Sequence, residues 1–361
     1  MNRVIAMILG CLLTQNMAFA QTPIYPNDKN WQLKWEDNFN DTLNTNIWKV
    51  FDNFDHYGES STVHIASNVY INDGTLVLRA KKEDYCCPHQ HVGQWGCKKQ
   101  WQTGVCYKYT GAWIETQTPG WYDTPSGYIE ARIKMTYTPG VGYAFWTFAR
   151  ELSYSNPAEI DIFETMVPEM KQAKNNIATN VHTCYKNAPP GCKESLSRNY
   201  SLPNSDYTDW HIYAVEWDAT KITWYVDGTV IRTIPNHNLD DFGNSIVDPV
   251  RIILGAHVDP KKTNATYLEH YMYVDHVKVY QLKCSDKVVN EISDFGTYCY
   301  TVKKSITLSG ATTIPAGSNI SLRATDYIEL KSGFEVPLGA KLYLDINSCS
   351  GSNYNCPPSP Y

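Results

Sequence analysis

Apolar and polar positions alternate with a period of two along much of the chain, as in Leu33-Lys34-Trp35-Glu36 and Ala131-Arg132-Ile133-Lys134-Met135. Successive side chains on a strand point to opposite faces, so this period predicts strands with one buried face. Turn-forming Asn, Asp, Gly and Pro separate the runs, and Asp73-Gly74 and Asp227-Gly228 carry the signature of tight hairpins. No long segment has a 3.6-residue period. The expected class is all-β, a sandwich, and the roughly 260 residues before the character changes at about residue 283 can bury a large core. Trp35, Trp48, Trp217 and Trp224 lie on strand-like runs and are expected in it.

One run departs from the pattern. Ala158-Glu159-Ile160-Asp161-Ile162-Phe163-Glu164 places three carboxylates within six positions of a β-prone segment. Glu159 and Asp161 share one face, but strict alternation would send Glu164 into the core beside the isoleucines. A buried lone carboxylate is costly, so the sequence predicts a β-bulge at Ile162-Phe163 that returns Glu164 to the acidic face. Two glutamates flanking one spot suit retaining glycoside hydrolysis, in which one carboxylate attacks the anomeric carbon and the other protonates the leaving oxygen, then activates water.

This run resembles the active-site strand of family 16 glycoside hydrolases in its bulged form, E-x-D-x-x-E. Collinear similarities extend the match: Leu33 to Asn40 with Trp48, Asn68 to Leu78, Ser126 to Met135, Ala144-Phe145-Trp146, Tyr213 to Gly228 and Tyr273 to Gln281. The resemblance implies a curved antiparallel β-sandwich jelly roll, concanavalin-like, with Glu159 as nucleophile, Glu164 as acid/base and Asp161 as the acid that orients and tunes the nucleophile. Like charges held together resist joint ionisation, so one carboxyl is expected to stay protonated, with Glu164 the one that benefits. Trp146, Tyr143, His182, Trp95 and Trp101 are the candidates for sugar contact. No cofactor is required for the chemistry. A structural Ca2+ on the convex side, as in many relatives, would use Asn38, Gly74 and Asp275, although Asn38 stands where the family usually has an acid. The bulged motif is shared by enzymes acting on β-1,3/1,4-glucans and on β-galactan-type glycans, so it reports mechanism rather than sugar. Glycosyl transfer through the same intermediate and a non-catalytic lectin are the alternatives; retention of all three acids argues against the lectin.

Composition narrows the setting. A formal net charge of −6 and scattered rather than clustered Lys and Arg argue against nucleic acid and anionic membrane surfaces as partners. The expected partner is a polysaccharide, and a monomer is expected. Arg3, the apolar stretch Val4 to Leu13 and Ala18-Phe19-Ala20 read as a signal peptide over residues 1–20, with a lipoprotein at Cys11 less favoured; secretion to the periplasm, cell surface or medium follows. Ten cysteines then remain, and an even number in an exported chain suggests disulfides. Cys184–Cys192, Cys284–Cys299 and Cys349–Cys356 are close in sequence; Cys86, Cys87, Cys97 and Cys106 share one loop. The long loops 81–108 and 183–206 are expected to wall the cleft.

Beyond the catalytic domain, 21–283, a linker with a disulfide is expected over 284–300, a small repeat β domain over 301–347 and a flexible tail over 348–361. The repeat has a 22-residue offset: Ile306-Thr307-Leu308 matches Ile328-Glu329-Leu330, and Thr313 to Leu322 matches Glu335 to Leu344. It predicts stacked β-hairpin rungs and resembles the small "coathanger" domains of secreted Bacteroidetes proteins.

Overall fold

The computed structural model describes residues 31–55, 62–87, 106–117, 127–149, 159–166, 172–182, 196–217, 221–235, 250–259, 269–284, 287–293, 295 and 302–346. The predicted leader, Trp95, Trp101, five of the six local-pair cysteines and the tail lie outside them. Among the described residues the only helix is one 3-10 turn, Ala66–Asn68.

Sixteen strands form one hydrogen-bonded network that folds over into two layers. The first layer runs Arg198–Ser201, Asn176–His182, Glu159–Glu164, Val141–Ala149, Val250–Val258 and the end of Cys106–Thr116. The second runs from the start of Cys106–Thr116 through Thr75–Cys86, Glu269–Leu282, Gly127–Met135, His211–Trp217 and Lys221–Val226 to Thr229–Pro235. Trp31–Asp37 and Val69–Asn72 pair onto this layer. Cys106–Thr116 passes between layers at Gly111, its earlier residues pairing with Thr75–Cys86 and its later ones with Val250–Val258. A Cβ at Gly111 would lie 2.4 Å from the Ala256 carbonyl oxygen, so only glycine permits the crossing.

The alternation read from sequence is the alternation observed. In Glu269–Leu282, His270, Met272 and Val274 are buried while Glu269, Tyr271, Tyr273 and Asp275 are half-buried on the other face. Inward residues of both layers, such as Met272, Val274 and Ile133 from one and Ile160, Phe163 and Leu254 from the other, form a single core. Trp35, Trp48, Trp217 and Trp224 all belong to it. Asp73-Gly74 and Asp227-Gly228 have positive φ at both positions (48° and 68°, 48° and 75°), as a type I′ hairpin turn requires.

The C-terminal repeat differs in two respects from the expectation. Its four strands, Val288–Asn290, Lys303–Leu308, Asn319–Leu330 and Lys341–Ile346, pair in parallel rather than as hairpins. The offset of 22 explains this: Ile306 pairs with Ile328 and Leu322 with Leu344, each residue beside its own repeat equivalent in the next coil. The sheet also begins at Val288, within the stretch expected to be a linker. Cys284 and Val302 pack with Trp31, Tyr128, Tyr225 and Tyr280 of the sandwich. Cys86 and Cys106, opposite one another on paired strands, are joined by a disulfide. Cys87 and Cys284 are each engaged in a disulfide of their own.

Candidate active site

The predicted bulge is present. Phe163 pairs with Phe145 and Asp161 with Trp146, so Ile162 is an extra residue on the catalytic strand. The strand on the other side shows the same slip between Ala178 and Asn180. Ile160, Ile162 and Phe163 all pack in the core, and the Phe163 ring lies 4.5 Å from that of Tyr213. Two consecutive inward residues turn Glu164 back to the face that carries Glu159 and Asp161.

Directly opposed residues on neighbouring strands share a face, so the registers define three rows across the first layer. Trp113, Gly255, Ala144 and Glu164 form one; Glu115, Ile253, Trp146, Asp161 and Asn180 the next; Arg251, Phe148, Glu159 and His182 the third. The acids therefore sit at one end of an aromatic floor. Trp113 and Trp146 meet edge to face at 5.5 Å, and Phe51, Phe54 and Phe148 complete the cluster. Beside Glu164 the row contains only Ala144 and Gly255 before Trp113, which leaves depth in front of this carboxyl.

The Glu159 and Asp161 carboxyls lie side by side, within reach of one another. Burial raises the Glu159 carboxyl well above its ordinary range, the nearby Asp161 and Glu164 charges add to the rise, and His182 opposes it. The sequence expectation is a retained proton on Glu164; burial and the two acidic neighbours raise Glu159 as well. Asp161 is almost completely enclosed, and its Oδ2 has no hydrogen-bond partner. His182 Nε2 lies 3.4 Å from that oxygen and 3.7 Å from Glu159 Oε1, and Asn180 Nδ2 lies 2.9 Å from the same nitrogen. One polar atom each of Glu159, Asp161 and His182 lies within 4.8 Å of the other two. From across the core, the Trp224 indole donates a 2.9 Å hydrogen bond to the Asp161 carbonyl, tying the catalytic strand to the second layer.

Of the candidate sugar contacts, Trp146 faces the cleft opposite Asp161, and His182 faces the acids. Tyr143 does not. It is 1% exposed within the core, its hydroxyl 2.9 Å from Thr136 Oγ1, because it lies one step out of phase with Ala144 and Trp146. Trp113, Phe51 and Phe54 were missed in the sequence: nothing in an isolated Trp or Phe on an alternating strand says which face will be the cleft. The three positions proposed for calcium fall on the second layer. Asn38 is exposed, and Asp275 already has Oδ1 3.5 Å from Arg132 and Oδ2 3.0 Å from His276. A cation at Asp275 would have to displace both of these contacts.

Comparison with known proteins agrees with this architecture. The chain is 31% identical over 241 residues to the kappa-carrageenase of Pseudoalteromonas carrageenovora, covering 63% of this chain and 57% of that one. It is 25% identical over 289 residues to glucan endo-1,3-beta-glucosidase A1 of Niallia circulans, covering 72% and 39%. The chain thus spans between 39% and 57% of the length of these curated relatives. The solved endo-beta-1,3-glucanase of Pyrococcus furiosus superposes with a TM-score of 0.56 at 28% identity, covering 70% of this chain and 95% of that one. Residues 56–275 match the sequence profile of Glycosyl hydrolases family 16, and with the bulged acidic strand in its aromatic cleft the chain belongs to that family.

Proposed function

We propose that this chain hydrolyses internal β-glycosidic bonds of a polysaccharide by double displacement with retention of configuration. The observation that carries the reading is the bulge, which puts Glu159 and Glu164 on one face of one strand. Glu159 attacks the anomeric carbon from one side of the ring, and Glu164 protonates the departing glycosidic oxygen; a glycosyl ester on Glu159 results, and Glu164 then deprotonates the water that releases it. Asp161, on the same face beside Glu159, orients the attacking oxygen as that carboxyl becomes the nucleophile. Trp146 and Trp113 offer flat apolar surfaces to sugar rings beside the acids.

The substrate reading is a β-glycan of the glucan or galactan type. The higher identity to the kappa-carrageenase favours the galactan side. Export is part of the proposal, on the strength of the N-terminal pattern; no helix among the described residues is long and apolar enough to cross a membrane.

The test is digestion of laminarin, lichenan, agarose, porphyran and carrageenan by the full chain, read by product size and by proton NMR of the first-formed anomer. Short oligosaccharides retaining the β configuration, absent with Glu159→Gln, are expected. Inverted product, or undiminished turnover by the variant, overturns the reading; longer products would mean transfer instead of hydrolysis.

A further inference from the structure

The outer face of the second layer, on the far side of the core from the cleft, carries a row of side chains that the catalytic reading does not use. The registers place Tyr70 opposite Val77, Val77 opposite Tyr273 and Tyr273 opposite Lys134. His211 pairs with Ile133, so Trp210 falls beside Lys134 and extends the row to a fifth strand. Four inter-strand steps of about 4.8 Å make the row about 19 Å long.

The side chains converge as the registers imply. Lys134 Nζ lies 4.9 Å from the Trp210 ring centroid and 5.1 Å from that of Tyr273. Tyr271 stands alongside Tyr273, ring centroids 5.7 Å apart. Tyr70 is 37% exposed, and Trp210, Tyr271 and Tyr273 are half-buried. The residues between them on these strands, Met272, Val274, Ile133 and Met135, point into the core, so the row faces solvent.

Charge distinguishes this row from ordinary surface decoration. Arg132 and Arg79 flank it, and each has a carboxylate, Asp275 at 3.5 Å and Glu269 at 3.4 Å. Lys134, between Tyr273 and Trp210, has only the two rings and no carboxylate among the described residues. In a chain of net charge −6 an ammonium held between two aromatic faces without an acid is a site for an external anion. Tyr70, Tyr273 and Trp210 stand two strand spacings apart, about 10 Å, which suits every second pyranose ring of a chain stacking its apolar face on them.

We propose that this face is a second, non-catalytic binding surface for a polysaccharide bearing acidic substituents: Tyr70, Tyr273 and Trp210 stack sugar rings, and Lys134 pairs with a sulfate or carboxylate. The proposal rests on the polysaccharide reading of the cleft. Its effect is to hold a polymer near the cleft and raise its local concentration, a gain that short oligosaccharides do not share.

Native gel electrophoresis of the full chain through gels containing kappa-carrageenan or laminarin tests it, with Glu159→Gln as parent so that the polymer survives. Adding Trp210→Ala and Tyr273→Ala is expected to weaken retention by the carrageenan gel about tenfold, equivalent to about 1.4 kcal/mol. The same pair in the active chain leaves turnover of short oligosaccharides unchanged. Lys134→Glu, which keeps both rings, lowers retention by carrageenan but not by laminarin, and decides the matter should the double variant fail to fold. No retention of the parent in carrageenan, or equal retention with Lys134→Glu, overturns the proposal. Failure of the catalytic reading shows separately, as hydrolysis persisting in Glu159→Gln.

Discussion

His182 Nε2 stands 3.4 Å from Asp161 Oδ2, a buried oxygen that no hydrogen bond satisfies. The imidazole also faces Glu159 at 3.7 Å, so one side chain from the neighbouring strand serves two acids of the catalytic strand. Its positive field lowers a Glu159 carboxyl that burial and Asp161 push up. His182→Ala is therefore expected to move the acid limb of the kcat/KM–pH profile to higher pH and to lower activity at neutral pH about tenfold or more. An unshifted limb in stopped assays from pH 4 to 9 would show that His182 does not govern this ionisation.

The raised Glu159 carboxyl has a consequence for stability. Folded Glu159 keeps its proton at a pH where the unfolded chain, with an ordinary value near 4.5, has lost it. Its contribution is fully present below about 4.5 and is lost as pH rises through the raised folded value. Glu159→Gln does not titrate and escapes that loss. Its Tm is expected to exceed the parent's by about 2–4 °C at pH 7 and to converge with it near pH 4, as measured by differential scanning fluorimetry.

Ile162 is the residue that makes the bulge, and its removal restores strict alternation. Deletion of Ile162 leaves the run Glu-Ile-Asp-Phe-Glu, in which alternation without a bulge keeps all three acids on the cleft face. Hydrolysis is expected to be reduced but not abolished, and urea unfolding to report a fall in stability of about 2–5 kcal/mol, the cost of removing a buried Ile side chain from the core. Ile162→Val, which keeps the extra residue, costs about 0.5–1.5 kcal/mol and keeps activity.

Asp275 has both carboxylate oxygens turned to Arg132 and His276, which hold its carboxyl below the usual range. A cation would have to displace these contacts. Chelation with EDTA is expected to leave the melting temperature and activity unchanged, and added calcium to raise neither. A calcium-dependent rise in Tm would show that Asp275 changes partners.

Period-two patterning determined the class of fold, because burial on one face of a strand writes itself directly into alternate residues, and Asp73-Gly74 and Asp227-Gly228 located two hairpins for the same local reason. The bulge was legible too, since a third acid out of phase with two others conflicts with burial unless the backbone absorbs one residue. What the chain alone did not determine was every relation between strands distant in sequence. Tyr143 and Trp146 look equally suited to a cleft, and only the register with Glu159–Glu164 sends one to the core and the other to Asp161. His182 gains its place beside Asp161, and Trp113 its place beside Trp146, from pairings across strands. In the C-terminal repeat the 22-residue offset was visible, but whether equivalents stack in parallel or as hairpins depends on the path between them. Local pattern sets which face of a strand is buried; tertiary pairing decides which residues of other strands share the exposed face, and the chemistry of this protein lies on that face.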